Sequence, residues 1–343
     1  MATRSRTTLA LVGAAGAAAV ASGALRAHRR RITDDPAHAE LSAPLEGPAT
    51  TVTSHDGTVL HAEVFGPEDA PTIVLLHGWT ETLRLLTFQI RELSREFRVV
   101  AYDLRGHGRS GSAPTPDAYG MDEHAEDLDA VLRALVPAGQ RAVVAGHSLG
   151  AMTLVTWAGH HHDQVAERLA GAALISTGMG DLISETLVVR APARFERAGQ
   201  AIAATLMGAK VPLPKGSTPI SHRIIRYVAL GPDASPATVA FCERMILECR
   251  RDVRGAVGAT LSRLELHDAV ESLTVPTVVI AGAQDRLTPP VHARRLAETL
   301  PDLVELVEIS GIGHMAPVEA PATVTEKIAA LARSGRPASP AAA

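Results

Sequence analysis

The sequence predicts an α/β fold: a mostly parallel sheet of about eight strands, helices on both faces, and a helical cap. Three observations carry that expectation. Continuous apolar runs such as 71–76 and 141–146 suit strands buried on both faces. Segments of helical spacing separate these runs. The alternation is interrupted once, between Ser176 and about Leu264, by roughly ninety residues that read as helices.

In chain order, 51–66 reads as a hairpin around His55-Asp56-Gly57, a turn signal between two short apolar runs. Strands are expected at 71–76, 97–102, 141–146, 170–176, 277–281 and 304–309. Helices are expected at 80–93, 122–135, from 149 onward, at 290–300 and in the last stretch to about 332. The interruption follows the sixth strand and is itself broken by a loop at 212–217, so a lid at 177–264 over one domain at 51–333 is the natural organisation. Residues 32–50 hold Pro36, Pro44 and Pro48 and read as a linker. The Pro- and Ala-rich tail 334–343 is expected to be disordered.

Composition excludes some functions. The 343 residues carry 33 lysines and arginines against 37 acids, and aromatic content is 3%. There is neither a global basic field nor a set of stacking platforms, so nucleic acid is not an expected partner. Cys242 and Cys249 lie two helical turns apart, about 10 Å and beyond disulfide reach, and read as small buried hydrophobes.

The N-terminus leaves three readings open. Residues 7–25 carry no charge and are flanked by Arg4 and Arg6 before and Arg26, Arg29, Arg30 and Arg31 after. Nineteen helical residues would span about 28 Å, close to the hydrocarbon thickness of a bilayer. Alanine and glycine dominate, however, and five larger apolar residues supply only roughly -1.5 to -3 kcal/mol of insertion energy. An uncleaved anchor with the arginines on the cytoplasmic side is the expectation, which places the domain at 51–333 in the cytoplasm. A signal peptide cleaved after Ala19-Val20-Ala21, giving an exported protein, and a soluble extension are the alternatives.

The chemistry centres on Gly146-His147-Ser148-Leu149-Gly150, between a buried strand and a helix. A serine on so sharp a turn needs neighbours without side chains at minus two and plus two. At neutral pH it also needs a base. His314, in the loop between the last strand and the last helix, is placed to serve. An acid must fix the base's tautomer, and Asp285, just past the seventh strand, fits the order Ser, Asp, His. Asp181 is the alternative acid. An oxyanion requires two donors, expected from the backbone N–H groups of Leu149 and Trp79, where Gly78 lets the chain approach. His160-His161-His162 cannot jointly chelate one ion, because consecutive helical residues point about 100° apart. No metal or cofactor is expected.

From about Thr50 to Leu331 the chain resembles the α/β-hydrolase superfamily with a helical lid. The resemblance rests on His77-Gly78-Trp79, the stretch 103–110 (DLRGHGRS), the serine turn, Gly282-x-x-Asp285 and Gly313-His314. It implies a serine hydrolase acting on a small-molecule acyl ester or lipid through an acyl-enzyme. Epoxide hydrolases and haloalkane dehalogenases of the superfamily place aspartate where Ser148 stands. The same machinery could cleave a thioester, a lactone or a carbon–carbon bond, or act as a cofactor-free perhydrolase or haloperoxidase; a non-catalytic binding protein is the remaining alternative. The 103–110 stretch is expected to be structural, a loop held by its own hydrogen bonds.

Overall fold

The computed structural model describes residues 22–45, 47–188 and 196–335. Eight strands form one sheet in the order β1-β2-β4-β3-β5-β6-β7-β8. These are β1 (Ala49–Thr53), β2 (Val59–Phe65), β3 (Thr72–Leu76), β4 (Arg98–Tyr102), β5 (Ala142–His147), β6 (Leu169–Ile175), β7 (Thr277–Gly282) and β8 (Leu303–Ile309). The β1–β2 and β2–β4 pairs are antiparallel, and the pairs from β4 to β8 are parallel. Every residue of β3, β5 and β7 is buried, as central strands covered on two faces require. β8, at the edge, buries none of its residues fully.

The main helices are α1 (Thr87–Leu93), α2 (Met121–Leu135), α3 (Leu149–His160), α4 (Glu196–Met207), α5 (Pro219–Ala229), α6 (Pro236–Glu248), α7 (Arg251–Leu261), α8 (Pro290–Thr299) and α9 (Pro321–Ser334). Helix α2 buries Ala125, Leu128, Val131 and Leu132, the three-to-four spacing of an amphipathic helix. Two hydrophobic clusters cover the two faces of the sheet, one holding Trp157 and α2, the other holding α1 and α9.

Helices α4 to α7 all belong to the insertion between β6 and β7. Side-chain caps start two of them: Thr218 and Ser221 make a capping box on α5, and Ser235 caps α6 ahead of Pro236.

Residues 32–50 correct an expectation. They are not free chain: Ala37–Ser42 is a helix whose Leu41 is buried, and β1 already starts at Ala49. Asp35 Oδ2 accepts from the Ala237 N–H at 3.1 Å, and Arg84 and Arg91 donate to the Ala43 carbonyl at 2.7 and 3.0 Å. The prolines suggested a spacer, but the burial of Leu41 in a hydrophobic groove, together with these hydrogen bonds, holds the segment.

Residues 22–33 are helical. The rest of the uncharged stretch 7–25 lies outside the described residues, as do 336–343 of the tail. Among the described residues no helix is long and apolar enough to cross a membrane.

Candidate active site

The sheet reverses its winding between β3 and β5, which lie side by side with Leu76 opposite Gly146. Parallel α/β sheets open a crevice at the carboxyl ends of the two strands flanking such a switch point. Here those ends are His77-Gly78-Trp79 and His147-Ser148.

Ser148 has φ 50° and ψ -114°, a region costly for a residue with a β-carbon. The flanking glycines are what permit it. A β-carbon on Gly146 would stand 2.4 Å from the Ala151 nitrogen, and one on Gly150 2.6 Å from Leu76 Cβ. Ser148 N–H donates to the Ile175 carbonyl at 2.9 Å, and Thr177 Oγ1 donates to the Ser148 carbonyl at 3.0 Å. Two bonds to the β6 end therefore hold the turn. The residue is 9% exposed, just reachable from solvent.

Asp285 and His314 meet. His314 Nδ1 lies 2.7 Å from Asp285 Oδ2, and both side chains are buried. The loops that carry them leave β7 and β8, neighbours paired through Gly282 and Ile309. Asp285 also accepts from the Leu287 and Thr288 N–H groups at 2.8 and 3.0 Å and from Thr288 Oγ1 at 2.9 Å. Burial alone would raise the Asp285 pKa, but the His314 charge, its hydrogen bond and those from Thr288 outweigh burial and lower it. Burial likewise opposes a charge on His314, and the Asp285 carboxylate beside the ring overcomes it, raising the histidine above its ordinary value.

Ser148 is tied to this pair through its neighbour. His147 Nε2 sits 2.9 Å from the His314 carbonyl, and the two rings lie 5.0 Å apart. Among the described residues Ser148 Oγ makes no hydrogen bond of its own. Such contacts are often loose before substrate binds.

Trp79 and Leu149 follow the two strand ends, and among the described residues neither backbone N–H has an acceptor. Gly78 brings its loop close, since a β-carbon there would stand 3.0 Å from His147 Nδ1. Trp79 Nε1 donates to the Arg254 carbonyl at 3.2 Å, so α7 of the insertion rests on this loop.

Three residues here were not picked out in the sequence. Glu81 accepts from the Gly78 N–H at 2.5 Å and contacts His147 Nδ1 at 3.0 Å. Thr288 braces Asp285 as described. Glu319 accepts from the N–H groups of Gly231, Gly313 and Met315 at 2.6, 3.1 and 3.2 Å, holding the His314 loop. Only Glu81 left a signal, as the one charge in an otherwise uncharged loop.

Other candidates fall away. Asp181 faces Arg295 and His267, at 3.4 and 3.7 Å, not His314. The 103–110 stretch is held from within and from outside: Asp103 accepts from the Arg109 N–H at 2.9 Å and from the Leu83 N–H at 2.8 Å, and Arg105 is buried against Asp127. Of the three consecutive histidines, His161 lies near Glu126 and Asp129 with metal-like spacing. Asp129 is, however, already engaged by Arg133 at 2.5 Å and by Trp157 Nε1 at 3.3 Å. Cys242 is buried and Cys249 half-buried, both as free thiols.

Known proteins share this architecture. The sequence is 27% identical over 293 residues to a bifunctional esterase/perhydrolase of Acinetobacter calcoaceticus, covering 82% of this chain and 99% of that one. It is 26% identical over 277 residues to a non-heme chloroperoxidase of Streptomyces lividans, with 77% and 92% coverage. A thermophilic esterase from Thermogutta terrifontis superposes with a TM-score of 0.67 at 24% identity, over 84% of this chain and 100% of that one. The sequence model of the alpha/beta hydrolase fold family matches residues 71–321, most of the chain, and the protein belongs to that family.

Proposed function

We propose that the protein is a serine hydrolase that cleaves a carboxylic ester through an acyl-enzyme. One observation carries the reading: a buried His314–Asp285 pair at 2.7 Å, tied through His147 to a serine on a positive-φ strand–helix turn. Ser148 Oγ attacks the carbonyl carbon while His314 Nε2 takes its proton. Asp285 fixes the opposite nitrogen as N–H and stabilises the imidazolium. The N–H groups of Trp79 and Leu149 receive the oxyanion, and the nearby helix α3 adds its N-terminal dipole. His314 then protonates the leaving alcohol, and water, activated by the same ring, frees the acid.

The insertion serves in this reading as a lid at about 177–264 that lines the acyl pocket. Residues 7–25 serve as a membrane attachment that leaves the catalytic domain on the cytoplasmic side, and a lipidic ester suits that setting.

The test is Ser148→Ala assayed with short p-nitrophenyl esters. We expect kcat to fall by about 10⁴-fold or more with the circular dichroism spectrum unchanged. A fluorophosphonate probe labels the parent and not the variant. Turnover that survives the substitution removes Ser148 from the chemistry.

The esterase/perhydrolase relative favours a second reading, in which hydrogen peroxide replaces water at the acyl-enzyme and the product is a peracid. Peracid formation from acetate and peroxide, abolished by the same substitution, would support it.

A further inference from the structure

Charge is unevenly divided along this chain. Residues 1–33 and 200–232 hold ten lysines and arginines and no aspartate or glutamate, while the remainder carries 23 against 37 acids. The structure brings the described part of the first segment, residues 22–33, against the second. Helix 22–33 lies against the insertion: His28 Nε2 is 2.9 Å from Ser217 Oγ, which donates at 2.5 Å to buried Glu243. The His28 and His222 rings meet edge-on at 4.8 Å.

Between helix 22–33 and α5 runs a cleft of about 590 Å³ lined by Arg31, Arg223, Arg226, Arg286, His28 and His222, and among the described residues no carboxylate lines it. Among the described residues none of these four guanidiniums has an ion-pair partner. Arg226 and Arg286 donate to backbone carbonyls, those of Pro232 and Tyr227, and the Arg286 guanidinium also lies over the Tyr227 ring, 4.7 Å from its centroid. Beside the cleft, α5 leaves Ile220, Ile224 and Tyr227 exposed at 73, 54 and 52%. Spaced by four and three residues, they form one apolar stripe.

We infer that this face is a docking surface for an anionic phospholipid membrane. Guanidiniums pair with phosphate in bidentate fashion, and a basic helix with an apolar stripe lies naturally in the headgroup region. Helix 22–33 begins with the last four residues of the uncharged stretch 7–25, so the sequence of that weakly inserting stretch continues directly into the helix that borders this face. Each signal alone is marginal, and stable attachment takes two. A symmetric second copy is a poorer occupant, because it would set the same four arginines against one another. Free phosphate would fill the cleft and leave the apolar stripe uncovered.

The test uses the full chain with phosphatidylcholine vesicles, pure or containing about 30 mol% phosphatidylglycerol. We expect binding to favour the anionic vesicles by about tenfold or more, and to drop by about tenfold in Arg223→Glu/Arg226→Glu and in Ile220→Ser/Ile224→Ser. Hydrolysis of a short soluble ester stays at the parental rate in both variants, which separates this surface from the catalytic reading. An environment-sensitive label on Ile224→Cys, in a Cys249→Ser background, should shift to the blue only with anionic vesicles. Parental binding by both double variants, or a label that stays water-like on a vesicle-bound chain, overturns the proposal and leaves attachment to the N-terminal stretch alone.

Discussion

Glu81 Oε2 lies 3.0 Å from His147 Nδ1, and both residues are buried. The contact joins three segments far apart in sequence. Glu81 also accepts the Gly78 N–H, and His147 reaches the His314 carbonyl, so one carboxylate braces the Trp79 loop, the serine turn and the histidine loop together.

Glu81→Ala should therefore lower kcat by about tenfold to a hundredfold while leaving KM for a short ester within a factor of about two. Small displacements of reacting groups cost rate more than ground-state binding. Steady-state kinetics on the purified variant checks this. A change confined to KM would mean that Glu81 shapes the pocket without positioning the reacting groups.

Asp285→Asn should reduce kcat by about 10⁴-fold, because an amide favours the wrong His314 tautomer. It should also move the pH profile. His314 works as a base only when neutral, so activity falls as pH drops through its pKa. Asp285 raises that pKa above 6.5, so the acid limb of kcat/KM in the parent lies above 6.5. Removing the carboxylate shifts the limb to lower pH. Rate profiles of parent and variant between about pH 5 and 8 decide the matter, and an unmoved limb would assign the titration to another group.

His124 is fully buried in α2, both its ring nitrogens lack partners among the described residues, and burial holds its pKa well below 6.5. Its folded pKa is depressed relative to the unfolded chain, so unfolding takes up a proton as pH falls below 6.5 and stability declines in that direction. His124→Leu removes both the unsatisfied group and the linkage. We expect a gain of about 1 kcal/mol at neutral pH that widens toward pH 5, read from melting temperatures across that range.

Arg105 and Asp127 form a fully buried pair with two contacts of 2.7 and 2.6 Å. Arg105→Ala strands the carboxylate and should cost about 3–5 kcal/mol, lowering Tm by roughly 5–8 °C. The structural role of this loop is tested by per-molecule activity: the fraction that remains folded should turn over ester at close to the parental rate.

Much of this was legible beforehand because it is local. The apolar run of β3 and the glycines around Ser148 express constraints acting within a few residues, where periodicity and the absence of a β-carbon suffice to read them. Leu41 shows the opposite case. A single leucine between prolines carries no periodic signal, and the groove it enters, with the Asp35 and Ala43 hydrogen bonds, holds its segment in place. Glu81, Thr288 and Glu319 were hidden for the same reason, since their partners are backbone groups and side chains brought near by folding.

What the sequence determined alone was the alternation of strands and helices and the glycine-flanked turn at Ser148, both consequences of short-range sterics and hydrophobic spacing. The tertiary structure decided which carboxylate meets His314. Asp285 and Asp181 both follow strands, but only Asp285 leaves a strand adjacent to the one that leads to the histidine. It also placed helix 22–33 beside the acid-free stretch 200–232, because cross-chain packing, which no local pattern encodes, sets which distant charges become neighbours.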